Sequence, residues 1–103
     1  MTSASETGRV VVVTGAARGI GAAIARTLGR DGWAVSVADL DQAAATRTAE
    51  RVAEETGAHT LGVAVDIADT ASVREMVDHV ARALGPVTAL VNNAGIDVIK
   101  PFV

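Results

Sequence analysis

The chain has no cysteine and no tyrosine, and among its 103 residues only Trp33 and Phe102 are aromatic. Without cysteine it has no disulfide, no thiol nucleophile and no cysteine metal site. With half of its residues hydrophobic but almost no aromatics, its core has to be aliphatic, and the abundant alanine calls for closely packed helices. Basic runs are missing as well. The formal net charge of -3 gives no electrostatic reason to expect nucleic acid or an anionic membrane as partner. No apolar stretch is long enough to span a bilayer. The opening octet, MTSASETG, has neither a basic start nor an apolar core, so residues 1–8 read as a disordered tail rather than a signal peptide. A cytoplasmic protein is the expectation. At this length the chain makes at most one small domain, which buries roughly two thirds of its unfolded surface.

What is present is organised around Arg9 to Gly21, RVVVVTGAARGIG. A run of valines, Val10 to Val13, breaks at Thr14 and Gly15, and Gly19 and Gly21 then open a helix-compatible segment. This reads as strand, tight loop and helix start. The first N–H groups of a helix have no partner within it, and the aligned peptide dipoles put roughly half a positive charge there. A phosphate fits such an end. A side chain at Gly15, Gly19 or Gly21 would forbid the turn or hold the backbone away from the ligand and the neighbouring strand. The spacing is GxxxGxG rather than GxGxxG, and a glycine triplet by itself is weak. Its context strengthens it: Asp39 stands eighteen positions after Gly21, at the end of a second strand-like run. That is close to the ~20-residue offset at which a carboxylate meets the ribose hydroxyls of NAD. A glycine loop that merely turns the chain leaves this coincidence unexplained.

The remaining segments alternate. Ile20, Ala23, Ile24, Thr27 and Leu28 recur at helical spacing, and Asp31 with Gly32 stops that helix near Arg30. Trp33 to Ala38, WAVSVA, is the second strand and delivers Asp39 to its carboxyl end. Asp41 caps a helix over Gln42 to Thr56, with Ala45, Ala49, Val52 and Ala53 on one side and Gly57 ending it. Thr60 to Val65 is a third strand, closing on Asp66 and Ile67. Asp69 or Thr70 caps a third helix with the stripe Val73, Met76, Val77, Val80 and Leu84, stopped by Gly85 and Pro86. Val87 to Val91 is the fourth strand, followed by Asn92, Asn93, Ala94 and Gly95.

Strands alternating with helices demand parallel pairing and right-handed crossovers. The expected architecture is an α/β, Rossmann-type doubly wound parallel sheet in the order 3-2-1-4, truncated after the fourth strand. In that order the second and third helices cover opposite faces, and a crevice opens between strands 1 and 4. Gly15 to Gly21, Asp39, Asp66 and Asn92 to Gly95 all fall at the carboxyl ends of strands, where open α/β sheets bind ligands.

On these residues the chain resembles the short-chain dehydrogenase/reductase family. The matching motifs are TGAARGIG at Thr14 to Gly21, the acid at Asp39, the pair Asp66 and Ile67, and LVNNAG at Leu90 to Gly95. Together they cover nearly everything from Arg9 onward. The resemblance implies that residues 9–103 are the amino-terminal half of an NAD(P)-binding Rossmann domain that oxidises alcohols or reduces ketones. It gives Gly15, Gly19 and Gly21 the pyrophosphate loop, with Ile20 adding backbone. It has Asp66 accept from the adenine amino group while Ile67 packs on the ring. It has Asn92, Asn93, Ala94 and Gly95 steady the central sheet and line the ribose nearer the nicotinamide. Thr88 departs from the family pattern, which more often has Asp there.

Asp39 chooses the cofactor. Its carboxylate makes charge-assisted bonds to ribose hydroxyls worth roughly 1.5–3 kcal/mol, whereas the extra phosphate of NADP meets it as a like charge. Arg18 argues the other way, because a basic residue before the second glycine often neutralises that phosphate in NADP-preferring members. Leu40 supplies no second base beside Asp39, so NAD is expected over NADP.

Family members use a downstream Tyr, Lys and Ser to move the substrate proton. This sequence has no tyrosine, so no catalytic residue is assigned. Ser72 at a helix start, Lys100 near the end of the sequence and His79 on an exposed helix side are not substitutes, and His59 reads as a loop residue. The first functional expectation is an NAD-dependent dehydrogenase of a secondary alcohol or ketone, represented by its cofactor-binding half. An NADPH-dependent reductase of 3-oxoacyl thioesters and a non-catalytic dinucleotide-binding module are the alternatives. The full-length protein is expected to be a dimer or tetramer without a metal. The fourth strand, with Leu90 and Val91, is expected to be an open apolar edge that leaves the isolated polypeptide marginal or aggregation-prone.

Overall fold

The computed structural model describes residues 8–93. Calls on the opening seven residues and on Ala94, Gly95 and Lys100 lie outside that range. Within it, β1 (Val10–Thr14), α1 (Gly19–Arg30), β2 (Ala34–Asp39), α2 (Gln42–Thr56), β3 (Thr60–Ala64), α3 (Thr70–Leu84) and β4 (Ala89–Asn92) follow one another. The strands form one parallel sheet in the order β3-β2-β1-β4, with Val12 of β1 facing Ser36 of β2 on one side and Leu90 of β4 on the other. The parallel pairing is what the alternation demands, and the order is the expected Rossmann-type one.

β1 and β2 are central and their residues point alternately to two aliphatic layers. Val11, Val13, Val35 and Val37 pack with Ala25 of α1 and Ala45, Ala49 and Val52 of α2. Val10, Val12, Ala34 and Ala38 pack with Val63 and Val65 and with Met76, Val80 and Leu84 of α3. Near-continuous apolar runs such as VVVV arise because a parallel strand with helices on both sides is buried on both faces. No described helix is long and apolar enough to cross a membrane.

Two expectations need correction, and α1 adds a detail of packing. The row Ile20, Ala23, Ile24, Thr27 and Leu28 does lie on a helix, and Ile24 and Leu28 pack half-buried against the core. The fully buried residues of α1 are Gly21, Ala22, Ala25 and Gly29, while Ile20 is 69% exposed. The physical reason is the closeness of the packing: a methyl at Gly29 would sit 2.8 Å from Thr56 Oγ1 of α2. At the closest approach only the smallest side chains fit, and Ile24 and Leu28 pack at the margin of the same layer. On α3, Val77 is exposed although its stripe-mates Met76, Val80 and Leu84 are buried. β2 and β4 start one and two residues later than expected. Trp33 is still in the turn, its N–H donating to the Leu28 carbonyl at 3.1 Å.

The two faces are covered unequally. α3 leaves an apolar groove of about 250 Å³ on its side, lined by Val12, Ile67, Val77 and Leu90 among others. Leu90 is 59% exposed, on a strand whose one described partner is β1.

Candidate functional site

The site lies where β1 ends. Gly15 and Gly19 have φ of 62° and 61°, the left-handed region that costs an ordinary residue about 1–2 kcal/mol. Gly21 is needed for a different reason. A Cβ there would collide with the Gly15 carbonyl oxygen and lie 2.7 Å from Asn93 Nδ2 and 2.8 Å from Ala16 Cα. The loop is therefore folded back onto the first turn of its own helix. Its backbone is tied to the sheet and to α2: Ala16 N–H donates to the Ala38 carbonyl at 3.1 Å. Ala17 N–H donates to Asp39 Oδ2 at 3.1 Å, and the Ala17 carbonyl accepts from Thr48 Oγ1 at 2.6 Å. Asn93 Nδ2 donates to the Gly15 carbonyl at 3.1 Å.

The helices begin differently. Asp41 caps α2, accepting from Ala44 N–H at 3.0 Å, and Asp69 caps α3, accepting from Ala71 at 2.9 Å and Ser72 at 3.3 Å. At α1 the capping position is Arg18, in extended backbone, and its side chain makes no capping bond. The orphan N–H groups of that first turn thus receive no capping side chain from Arg18 and have no side-chain acceptor among the described residues.

Asp39 is brought to this end by β2. Besides Ala17, it accepts from Asp41 N–H at 3.3 Å through Oδ1. Leu40 is 74% exposed beside it. The Arg18 guanidinium lies 3.7 Å from the Asp41 carboxylate, both well exposed, an ion pair worth less than about 1 kcal/mol. Asn92, at the end of β4, accepts from Thr14 Oγ1 at 2.9 Å. Gly15, Gly19, Gly21, Asp39 and Asn92 are thus gathered around the end of β1. Asp66 and Ile67 follow β3, two strand spacings or roughly 10 Å away. Asp66 closes a turn, its Oδ1 accepting from Ala68 N–H at 3.0 Å and its own N–H donating to Ser72 Oγ at 3.0 Å. Ile67 is 43% exposed. His79 and His59 are exposed.

Three residues make contacts here that their spacing does not foretell. Asn93, expected only to share in the role of Asn92 to Gly95, reaches the Gly15 carbonyl. Thr48 carried no signal beyond lying next to the buried row Ala45, Ala49, Val52. Thr88, the departure from the family pattern, grips the start of β1: its hydroxyl accepts from Val10 N–H at 3.1 Å and donates to the Val10 carbonyl at 3.2 Å.

The description of the short chain dehydrogenases matches residues 9–103. The chain belongs to the short-chain dehydrogenase family. Among curated members it is 43% identical over 94 residues to the D-threitol dehydrogenase of Mycolicibacterium smegmatis, covering 91% of this chain and 36% of that protein. It is 37% identical over 89 residues to the 3-oxoacyl-(acyl-carrier-protein) reductase of Escherichia coli, covering 86% and 35%. Among solved structures of the family, the L-sorbose reductase of Gluconobacter frateurii, complexed with NADPH and L-sorbose, superposes with a TM-score of 0.77 at 34% identity, covering 84% of this chain and 33% of that one. The chain spans about a third of the length of the curated relatives it matches. Its fold and its family are those of nucleotide-binding oxidoreductases.

Proposed function

We propose that residues 9–103 are the cofactor-binding part of an oxidoreductase that transfers hydride between NAD(H) and a secondary alcohol or ketone. The observation that carries this reading is the uncapped amino end of α1, folded against a glycine loop and facing the Asp39 carboxylate, whose Oδ2 is 3.1 Å from Ala17 N. The residues fit a dinucleotide. Gly15, Arg18, Gly19, Ile20 and Gly21 offer backbone at a positive helix end to a pyrophosphate. In this reading Asp39 and Leu40 serve the adenosine ribose, Asp66 and Ile67 the adenine, and Asn92 the nicotinamide ribose, a role the resemblance extends to Ala94 and Gly95 outside the described residues. When bound, the nicotinamide gives or takes the hydride. The residues of this chain bind and orient it, and substrate choice and proton transfer fall to parts outside this sequence. We read the protein as cytoplasmic and as a dimer or tetramer at full length.

Asp39 favours NAD, because a 2′-phosphate would meet its carboxylate as a like charge. In the native polypeptide, Asp39→Asn should weaken NADH by about tenfold, the loss of one charge-assisted bond, and leave NADPH unchanged or tighter. Calorimetric titration of both cofactors checks this, and an unaltered ratio of the two affinities contradicts it.

A second reading, an NADPH-dependent reductase such as one acting on 3-oxoacyl thioesters, has support in Arg18. Its exposed pairing with Asp41 at 3.7 Å is weak enough to yield to a phosphate. The NADPH complex of the L-sorbose reductase and the similarity to the Escherichia coli reductase lean the same way.

A further inference from the structure

We propose that Thr48 on α2 is a positioning residue for the dinucleotide loop, its hydroxyl fixing the Ala17 peptide in the orientation that receives the cofactor. This rests on the dinucleotide reading above. Two other helical threonines, Thr27 and Thr56, donate to the carbonyls four residues back, Ala23 at 3.0 Å and Val52 at 2.7 Å. That is the ordinary local choice for a threonine inside a helix. Thr48 makes a different bond. Its hydroxyl leaves α2 and donates to the Ala17 carbonyl at 2.6 Å, across 31 residues of sequence, with the side chain 3% exposed.

The Ala17 carbonyl and the Arg18 N–H belong to one planar trans peptide. Aiming the oxygen at α2 therefore sends the Arg18 N–H to the opposite side, at the open amino end of α1. The preceding peptide is fixed as well, since Ala17 N–H donates to Asp39 Oδ2. Both peptides that meet at Ala17 are held, one by the end of β2 and one by α2, immediately before the left-handed turn at Gly19. Ala17 is 7% exposed, so a carbonyl that loses the Thr48 donor has little water to replace it and its peptide is released to rotate. Cofactor affinity then has to include the cost of reordering the loop.

The test is calorimetric titration of the native polypeptide with NADH. Thr48→Val keeps the shape and removes the donor, and its Kd should rise roughly tenfold, whereas Thr48→Ser should stay within about twofold of wild type. Thr60→Val is the matched control. Thr60 Oγ1 donates to the Ala49 carbonyl on the same helix at 2.8 Å and does not reach the loop, so this variant should lower the melting temperature while leaving Kd within about twofold. Should Thr48→Val not fold, Thr48→Cys, with its weak S–H donor, should bind more weakly than Thr48→Ser. The positioning role is overturned if Thr48→Val or Thr48→Cys binds as tightly as Thr48→Ser, or if Thr60→Val loses as much affinity as Thr48→Val. A wild-type chain that binds neither NADH nor NADPH overturns the dinucleotide reading itself, and the Thr48 proposal with it.

Discussion

At the amino end of α2 the Asp41 carboxylate takes the Ala44 N–H at 3.0 Å, and at the amino end of α3 Asp69 takes two more. At the amino end of α1 stands Arg18, a cation at the positive end of a helix, with no capping bond from its side chain. Local stability argues for the first arrangement, since an Asp cap contributes about 1 kcal/mol and a basic residue at that position contributes nothing favourable. α2 and α3 begin in ways that serve the fold. α1 begins in a way that costs the fold something and keeps N–H groups available for an acceptor from outside, and it does so where two left-handed glycines and a carboxylate converge. A departure from the locally favoured choice, set beside two helices that follow it, marks the proposed ligand site more sharply than any single motif.

The comparison can be broken from either side. The largest effect belongs to Gly21→Ala. The new methyl meets backbone at Gly15 and Ala16, neither of which gives way cheaply, so the variant should lose about 3 kcal/mol of stability. NADH affinity should fall at least about tenfold, because the loop itself is pushed open. Thermal melts and titration together check it, and a variant that melts earlier but binds like wild type would show that the loop geometry is not the binding determinant. A smaller effect is expected for Asp69→Ala at the start of α3. Loss of the cap should cost about 1 kcal/mol while NADH affinity changes less than about threefold. If removing this cap cost as much affinity as disturbing Gly21, the division between a helix end that serves the fold and one that serves the ligand would fail.

Much of the fold was legible because its signals are local. Asp41 and Gly57 bracket α2 and Asp69 with Gly85 brackets α3, and both helices have the ends those residues imply. Parallel pairing followed from alternation and handedness, whereas the order 3-2-1-4 is the Rossmann-type one and needed the resemblance, since the same rules allow other doubly wound orders. The most deeply buried residues of α1 were not legible, for a reason of packing. Hydrophobic periodicity looks for large apolar residues, and α1 lies so close to the sheet and to α2 that it buries Gly21, Ala22, Ala25 and Gly29 most deeply. In the site, the glycines and Asp39 were readable from spacing. Thr48 was not, because its partner is 31 residues away and a threonine in a helix ordinarily bonds to its own turn. Nor did anything in WAVSVA mark Ser36, which is fully buried on β2 with no hydrogen-bond partner for its hydroxyl among the described residues; we have no physical account of it.

The most direct test of the central claim is the affinity of the unmodified native polypeptide for NADH and for NADPH, measured by calorimetry in the same low-salt buffer. The open end of α1 with Asp39 beside it predicts that both bind, with NADH tighter by about tenfold or more. Equal affinities, or NADPH the tighter, would contradict the role given to Asp39 and shift the choice to Arg18. No binding of either would contradict the site.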